Sequence, residues 1–152
     1  MLGWAERQSA DIWIYDAGGD IFAAVDVLAS SQIDRTRAKE YVKAIGTPKS
    51  FPALKYFLLV TTTTVWLWRF GASDSVRTLD GEPVEIHLPG FISEHMPSAS
   101  LDDRSLGLLV FQWLIRLREF EAEHGDPSLA DLAKSGFVQG LPRAKIELGE
   151  AA

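Results

Sequence analysis

Two short runs and the turn between them constrain this chain more than any other segment. They are Asp11-Ile12-Trp13-Ile14-Tyr15-Asp16 and Ile21-Phe22-Ala23-Ala24-Val25-Asp26-Val27-Leu28, joined by Ala17-Gly18-Gly19-Asp20. Both runs read as strands, and the turn residues make them a hairpin in which Gly18 and Gly19 are expected to supply the positive φ. Side chains of a strand alternate between faces. In the first run Ile12 and Ile14 share one face, while Asp11, Trp13 and Tyr15 share the other. In the second, Ile21, Ala23, Val25 and Val27 oppose Phe22, Ala24, Asp26 and Leu28. The second strand is therefore apolar on both sides, which requires a central position covered above and below.

The downstream sequence offers the covering layers. Residues 31–46 read as a helix, with Ser31-x-x-Asp34 as a variant capping box and Gly46 and Pro48 as the stop. Its inner stripe is Ile33, Ala38, Tyr41, Val42 and Ile45, and Arg35, Lys39 and Lys43 recur every four residues on another face. Residues 56–61 and 65–70 are β-rich runs separated by Thr62 to Thr64. Residues 71–100 are rich in turn formers and read as loop apart from a short strand at 84–88. Ser100-x-x-Asp103 is expected to cap a helix over 102–124, with Gly125 and Pro127 behind it. Leu106, Val110, Trp113, Leu117 and Phe120 form its apolar seam, and Leu109, Phe111, Leu114 and Ile115 widen it beyond one stripe. Such a breadth calls for cover from the helix's own domain or from a second subunit. A short helix follows from Ser128 to about Gly136, and the tail 137–152 carries few signals.

The resulting order is β-β-α-β-β-α with a short terminal helix. It implies an α/β fold: a mixed central sheet flanked by helices. At 152 residues the chain fits one domain, with a core over about 9–70, a loop over about 71–100, a C-terminal helical part over about 101–136 and a tail. It contains no cysteine, which excludes disulfides, thiolate zinc sites and cysteine nucleophiles. That composition fits a cytoplasmic setting. Residues 1–10 lack a basic start followed by an apolar run, so no signal peptide is expected. No apolar stretch approaches the ~18–20 residues that span a bilayer, so no membrane partner is expected.

Net charge is −6, against the basic footprint usual for a protein that grips nucleic acid unaided. The charge is unevenly spread. Residues 31–55 hold six bases (Arg35, Arg37, Lys39, Lys43, Lys49, Lys55) and two acids (Asp34, Glu40) and are +4, which leaves −10 elsewhere. The bland account is a solvated helix face. The sharper one is a polyanion-binding strip made by Arg35, Lys39 and Lys43.

The pieces Ala10-Asp11-Ile12, Val25-Asp26-Val27-Leu28, the following helix and Lys55-Tyr56-Phe57-Leu58-Leu59-Val60 together resemble the PD-(D/E)xK restriction-endonuclease-like superfamily, over roughly residues 9–70. The 105–117 helix is also similar to that of uncharacterised prokaryotic members. The resemblance implies a metal-dependent nuclease ancestry. In that family the first Asp and the second acid ligate magnesium or manganese, and a lysine two residues after the second acid serves the attacking water. By this likeness Asp11 and Asp26 would be the metal ligands. A divalent ion held by carboxylates neutralises the charge that develops on a phosphodiester and acidifies bound water. Two acids suffice for weak magnesium binding, because this ion keeps several waters.

The chain departs from the family pattern. Ala10 stands where proline is usual, the second acid is Asp26 rather than Glu, and Leu28 occupies the lysine position. An uncharged branched side chain cannot polarise water and makes a pocket drier. A related group of the family carries its base on the next helix, ahead of a tyrosine and a glycine. Here Arg37, Lys39, Tyr41 and Gly46 follow Asp26-Val27-Leu28-Ala29-Ser30, with one residue more between Tyr41 and Gly46 than that group has. Lys39 is thereby the candidate catalytic base-bearing residue beside Asp11 and Asp26. Glu6 is the one acid ahead of Asp11 that would match a further family ligand.

Other constellations are weaker. His87, His95 and His124 lack metal-ligand spacing, and there is no Gly-x-Ser-x-Gly. Trp13/Tyr15 and Trp66/Trp68 sit at strand alternation, which suits a core better than base stacking. Two readings remain. One is a catalytically impaired nuclease-like domain acting as a binding or assembly module, with a protein partner or a second copy docked on the 102–124 helix and no required cofactor. The other is a weak Mg- or Mn-dependent DNA or RNA endonuclease using Asp11, Asp26 and Lys39. The lost strand lysine and acidic net charge favour the first; the surviving acids and basic strip favour the second.

Overall fold

A computed structural model describes residues 10–45, 54–73, 76–79, 82–96, 102–120 and 129–149. The elements are β1 (Ile12–Tyr15), β2 (Ile21–Val27), α1 (Arg35–Ile45), β3 (Tyr56–Val60), β4 (Thr64–Ser73), β5 (Val76–Leu79), β6 (Val84–His87), α2 (Gly90–His95), α3 (Asp103–Phe120), α4 (Leu129–Lys134), a 3₁₀ turn (Val138–Gly140) and β7 (Lys145–Leu148). They form a mixed sheet with helices on both faces, as the strand patterns imply. The sheet order is β5-β4-β3-β2-β1-β7, and β6 pairs with β4 beside β5. Pairing is antiparallel except for β2 with β3, the two strands joined through α1.

Two separate apolar clusters follow from the alternation. Trp13, Ala24, Phe57, Leu59, Trp66 and Trp68 pack against Ala38, Tyr41 and Val42 of α1. Ile12, Ile14, Val25, Leu58, Val60 and Leu67 pack on the other face with Leu106, Val110, Trp113 and Leu114 of α3 and with Ile92 and Leu132. The broad apolar surface of α3 is thus largely consumed inside the chain. Leu109, Phe111 and Ile115 are partly buried against that cluster, and Leu108 remains 44% exposed. No helix among the described residues is long and apolar enough to cross a membrane.

The structure corrects several local expectations. In the hairpin only Gly19 has positive φ (88°). Gly18 is held instead by the Asp16 carboxylate, whose Oδ1 accepts the Gly18 and Asp20 N–H groups at 2.9 and 3.0 Å. The register jumps between Ile14–Ala23 and Tyr15–Ile21, which makes Phe22 the extra residue of a bulge. Phe22 therefore joins Ala23 on the α3 face rather than Ala24 on the α1 face, and Ile21 crosses to the α1 face.

Residues 71–100 are not mainly loop. They contain the end of β4 and all of β5, β6 and α2. The tail is not featureless either, because β7 pairs with β1. Asp102 caps α3, accepting the Ser105 N–H at 2.7 Å, and that bond holds the Asp102 carboxyl below its ordinary pKa. Asp34 caps α1, accepting from the Arg37 N–H at 2.9 Å. The helix stops at Gly46 and Pro48, the Ser100 position and residues 121–128 lie outside the described residues.

The displaced Phe22 organises the C-terminal turn. It stacks on Phe137 (centroids 6.2 Å apart) and meets Tyr56 edge-on at 5.3 Å. Tyr56 donates its O–H to the Ser135 carbonyl at 2.9 Å, and burial pushes its phenol pKa upward. Gly140 lies against the Phe22 ring so closely that a methyl group there would overlap it. Gly140→Ala should therefore lower stability by roughly 1–3 kcal/mol in denaturant melts, the usual cost of overpacking. Adding Phe22→Leu should recover part of that loss, and full independence of the two effects would refute the contact.

Candidate functional site

β1 begins at Ile12, so the last residues of β2 run beyond it. In the β1–β2 register Ile12 pairs with Val25. The next N–H of β2 aimed at β1, that of Val27, finds no strand carbonyl. The Asp11 side chain fills the gap: its Oδ2 accepts the Val27 N–H at 2.8 Å. Asp26 returns the contact, its Oδ1 accepting the Asp11 N–H at 3.2 Å. Asp26 thus caps the Asp11 backbone, and Asp11 caps that of the residue after Asp26, Val27. The structure brings Asp11 and Asp26 together as the hairpin reading requires, in the form of a reciprocal latch.

The two acids differ in environment. Asp11 is exposed, whereas Asp26 is fully buried. Tyr41, itself 9% exposed, donates its O–H to Asp26 Oδ2 at 2.7 Å. Both Asp26 oxygens therefore accept a hydrogen bond from this protein. A buried carboxyl is tolerable when its oxygens are hydrogen-bonded in this way. Leu28, two residues on and on the same face, packs against the apolar cluster under α1. The position that carries a lysine in the resembled family is spent on packing.

A row of side chains continues from this latch across the sheet. Asp26 pairs with Leu59, Leu59 with Trp66, and Trp66 with Glu85. All face α1, whose residues bridge the row. Tyr41 engages Asp26 at one end, and Arg35 Nη2 meets Glu85 Oε2 at 2.7 Å at the other. The Lys39 ammonium is bonded to a different acid. It donates to Glu82 Oε1 at 2.7 Å and lies 2.6 Å from Oε2, and Arg35 Nη1 approaches the same carboxylate at 3.8 Å. The Lys39 hydrogen bond holds the Glu82 carboxyl below its ordinary pKa, and Glu85 raises that of Arg35.

Of the basic strip, two members are therefore matched by acids at and before β6. Lys43 is exposed and makes no ion pair among the described residues. Beneath the strip, Trp66 Nε1 is buried without a hydrogen-bond partner among the described residues. Leaving such a group unpaired costs roughly 1–3 kcal/mol.

Glu6 and Lys49 lie outside the described residues. Among the described residues no group of three His, Cys, Asp or Glu side chains is arranged to hold a metal ion. Sequence reasoning missed Glu82 and Glu85, which it placed in loop and short strand. The available signal was the i, i+4 pair Arg35 and Lys39, a basic face that needs counter-charges somewhere in the fold. Sequence reasoning named Asp103 only as part of a helix cap; its Oδ1 accepts the Ala29 N–H at 2.6 Å and ties α3 to the residues after β2. Comparison with protein-family models, with curated proteins and with solved structures finds no match to this chain.

Two outcomes follow from this geometry. Tyr41→Phe removes a donor from a buried carboxyl and should cost roughly 1–3 kcal/mol, the range for leaving a buried polar group unsatisfied. Asp26→Ala should cost more, since it strands both the Asp11 N–H and the Tyr41 O–H. A double-mutant cycle in urea with near-zero coupling between positions 26 and 41 would contradict the contact.

The Glu82 pair gives a pH signature. Its folded pKa lies below the unfolded value, so the contribution is complete above ordinary carboxylate pKa and is lost as pH falls through the lowered one. Melting temperatures of the parent and Lys39→Ala should differ slightly at neutral pH and converge in acid. The difference should also shrink with salt, because the pair is exposed. A gap that persists at low pH would mean that Lys39 acts through packing.

Proposed function

We propose that this chain is a binding and assembly module built on a nuclease-like α/β frame, without phosphodiester-cleaving activity. The observation that carries this reading is the bonding of Asp26. A metal ligand must turn an oxygen lone pair toward the ion at ~2.1 Å for magnesium. In Asp26 one oxygen accepts from the Asp11 backbone and the other from Tyr41, with no solvent exposure. The helix-borne lysine that would complete the chemistry is bonded to Glu82. Those partners give the residues a structural occupation. The same pairing of Arg35 and Lys39 reduces the charge available to a nucleic-acid backbone, which argues for a protein surface as the binding partner.

One observation favours the second reading, a weak Mg- or Mn-dependent nuclease. Asp11 and Asp26 are adjacent, and Asp11 is exposed at the rim. In that reading a cation displaces donors from the latch, and Lys39 leaves Glu82 to reach it.

The two separate in one experiment. Manganese is titrated while tryptophan fluorescence is followed, and cleavage of single- and double-stranded DNA and RNA is assayed in parallel. The parent, Asp26→Asn and Lys39→Ala are compared. The module reading expects no saturable cation response and no cleavage above a buffer control. Saturable binding together with cleavage that Asp26→Asn abolishes would overturn it. Cleavage unchanged by Lys39→Ala would remove Lys39 from the nuclease reading.

A further inference from the structure

The helix surface over 102–124 that the assembly reading first offers is largely buried within the chain. The edge strand β7 supplies another, and the inference below deepens that reading and rests on it. Among the described residues, β7 has β1 as its strand partner on one side and is the end of the sheet order on the other. The Gly149 N–H donates to the Asp11 carbonyl at 2.7 Å, which fixes the phase of the β1–β7 ladder. Hydrogen-bonded and non-hydrogen-bonded pairs alternate in an antiparallel ladder. Trp13–Glu147 and Tyr15–Lys145 are then the hydrogen-bonded pairs. The N–H and C=O groups of Ile146 and Leu148 consequently point outward, away from β1.

The side chains on this edge are ordered by the same alternation. Ile146 is buried in the α3-side cluster. Lys145 and Glu147 share the opposite face, where Lys145 Nζ lies 2.8 Å from Glu147 Oε1 and their side chains are 72% and 43% exposed. Leu148 is 47% exposed, one of two large apolar residues so exposed among the described residues. An edge with outward backbone groups is a template for another strand.

We propose that β7 pairs antiparallel with β7 of a second copy of this chain, about a twofold axis through Ile146. The phase of the ladder and the two charges select this arrangement. Only even-numbered residues offer outward backbone groups, so a symmetric pairing must centre on a residue rather than between two. An axis through Lys145 sets lysine against lysine, and one through Glu147 sets glutamate against glutamate, both unfavourable. An axis through Leu148 sets Glu147 against Gly149 and leaves the charges unmatched.

The axis through Ile146 places Lys145 of each copy opposite Glu147 of the other. Those are non-hydrogen-bonded pairs, in which opposing Cα atoms are closest, ~4.5 Å apart. Ile146 faces its own copy as the hydrogen-bonded pair. The sequence Lys-Ile-Glu is thus self-complementary, whereas a foreign strand would have to carry a matching pattern. Three residues of each β7 face one another, and Leu148 meets Ala144, whose N–H and C=O are already bonded to Leu141 and Arg118, so the interface is small and the dimer a transient, concentration-dependent one.

The test uses sedimentation equilibrium of the full chain from roughly 1 μM to roughly 1 mM, the span in which weak association is read. The parent should dimerise reversibly. Lys145→Glu and Glu147→Lys should each weaken dimerisation at least ~10-fold, the effect of about 1.4 kcal/mol. Mixed together, these two variants should form a heterodimer of near-parental affinity, because every cross-strand pair is again of opposite sign. Circular dichroism melts check that both remain folded, and the mixing arm reads the contact even if each is somewhat less stable. A parent that stays monomeric throughout overturns the edge pairing, as does a dimer indifferent to both charge changes. So does a dimer lost on Leu108→Glu in α3 but not on these changes. None of these results bears on nuclease activity, so the edge pairing can fail while the module reading stands. Asp26-dependent cleavage sinks the module reading by itself.

Discussion

The structure depends on how β2 ends. This strand is buried on both faces, so its backbone donors have no water to turn to. Its neighbour β1 stops early, and side-chain carboxyls take over where the ladder runs out. Asp11 receives the Val27 N–H, Asp103 receives the Ala29 N–H, and the β3 carbonyl of Val60 receives the Leu28 N–H between them. Two of these three acceptors are acids acting as substitute strand. Because Asp103 opens α3 and Asp26 binds Tyr41 of α1, the same few bonds fix both helix layers to the sheet. The geometry of the end of β2 therefore sets the geometry of the whole sandwich.

This arrangement turns an acid pair into a structural device. Two carboxylates side by side repel each other and collect cations when water or a metal is their remaining option. Here each accepts a backbone N–H, Asp11 from Val27 and Asp26 from Asp11, and Asp26 also takes a phenol. The basic strip of α1 behaves similarly. Arg35 and Lys39 span Trp66 and end on Glu85 and Glu82, so the strip ties the helix to β6 as well as carrying charge.

What could be read from the sequence was whatever depends on periodicity. The both-sides apolar pattern of residues 21–28 required helices above and below the sheet, and they are there. The inner stripe of α1 and the seam of α3 follow the spacing of Ala38, Tyr41 and Val42 and of Leu106, Val110 and Trp113. Phase-breaking features were invisible. A bulge at Phe22 changes which face a residue occupies without changing composition, and its cause, the ring pocket formed with Tyr56, Phe137 and Gly140, is more than a hundred residues away in part. β7 was missed because a four-residue strand with alternating charge, Lys-Ile-Glu-Leu, carries one buried side chain and derives its stability from β1.

The candidate site was legible as a neighbourhood and not as a state. Hairpin register alone predicts that Asp11 and Asp26 meet. Whether their oxygens are open to an ion depends on which donors reach them, and those come from a backbone N–H in a short strand and from Tyr41 on a crossover helix. Tyr41 sits on the inner stripe as an aromatic packing residue would, and nothing in its spacing distinguishes a ring that only fills space from one that also delivers a hydroxyl. The same ambiguity runs through Lys39: its helical phase places it above the sheet, but the acid it meets is chosen by how β6 is brought alongside β4. Residue types at the right spacing thus establish that chemistry is geometrically near. The occupancy of each lone pair decides whether that chemistry is available, and it is set by the tertiary partners of β2 rather than by the acids themselves.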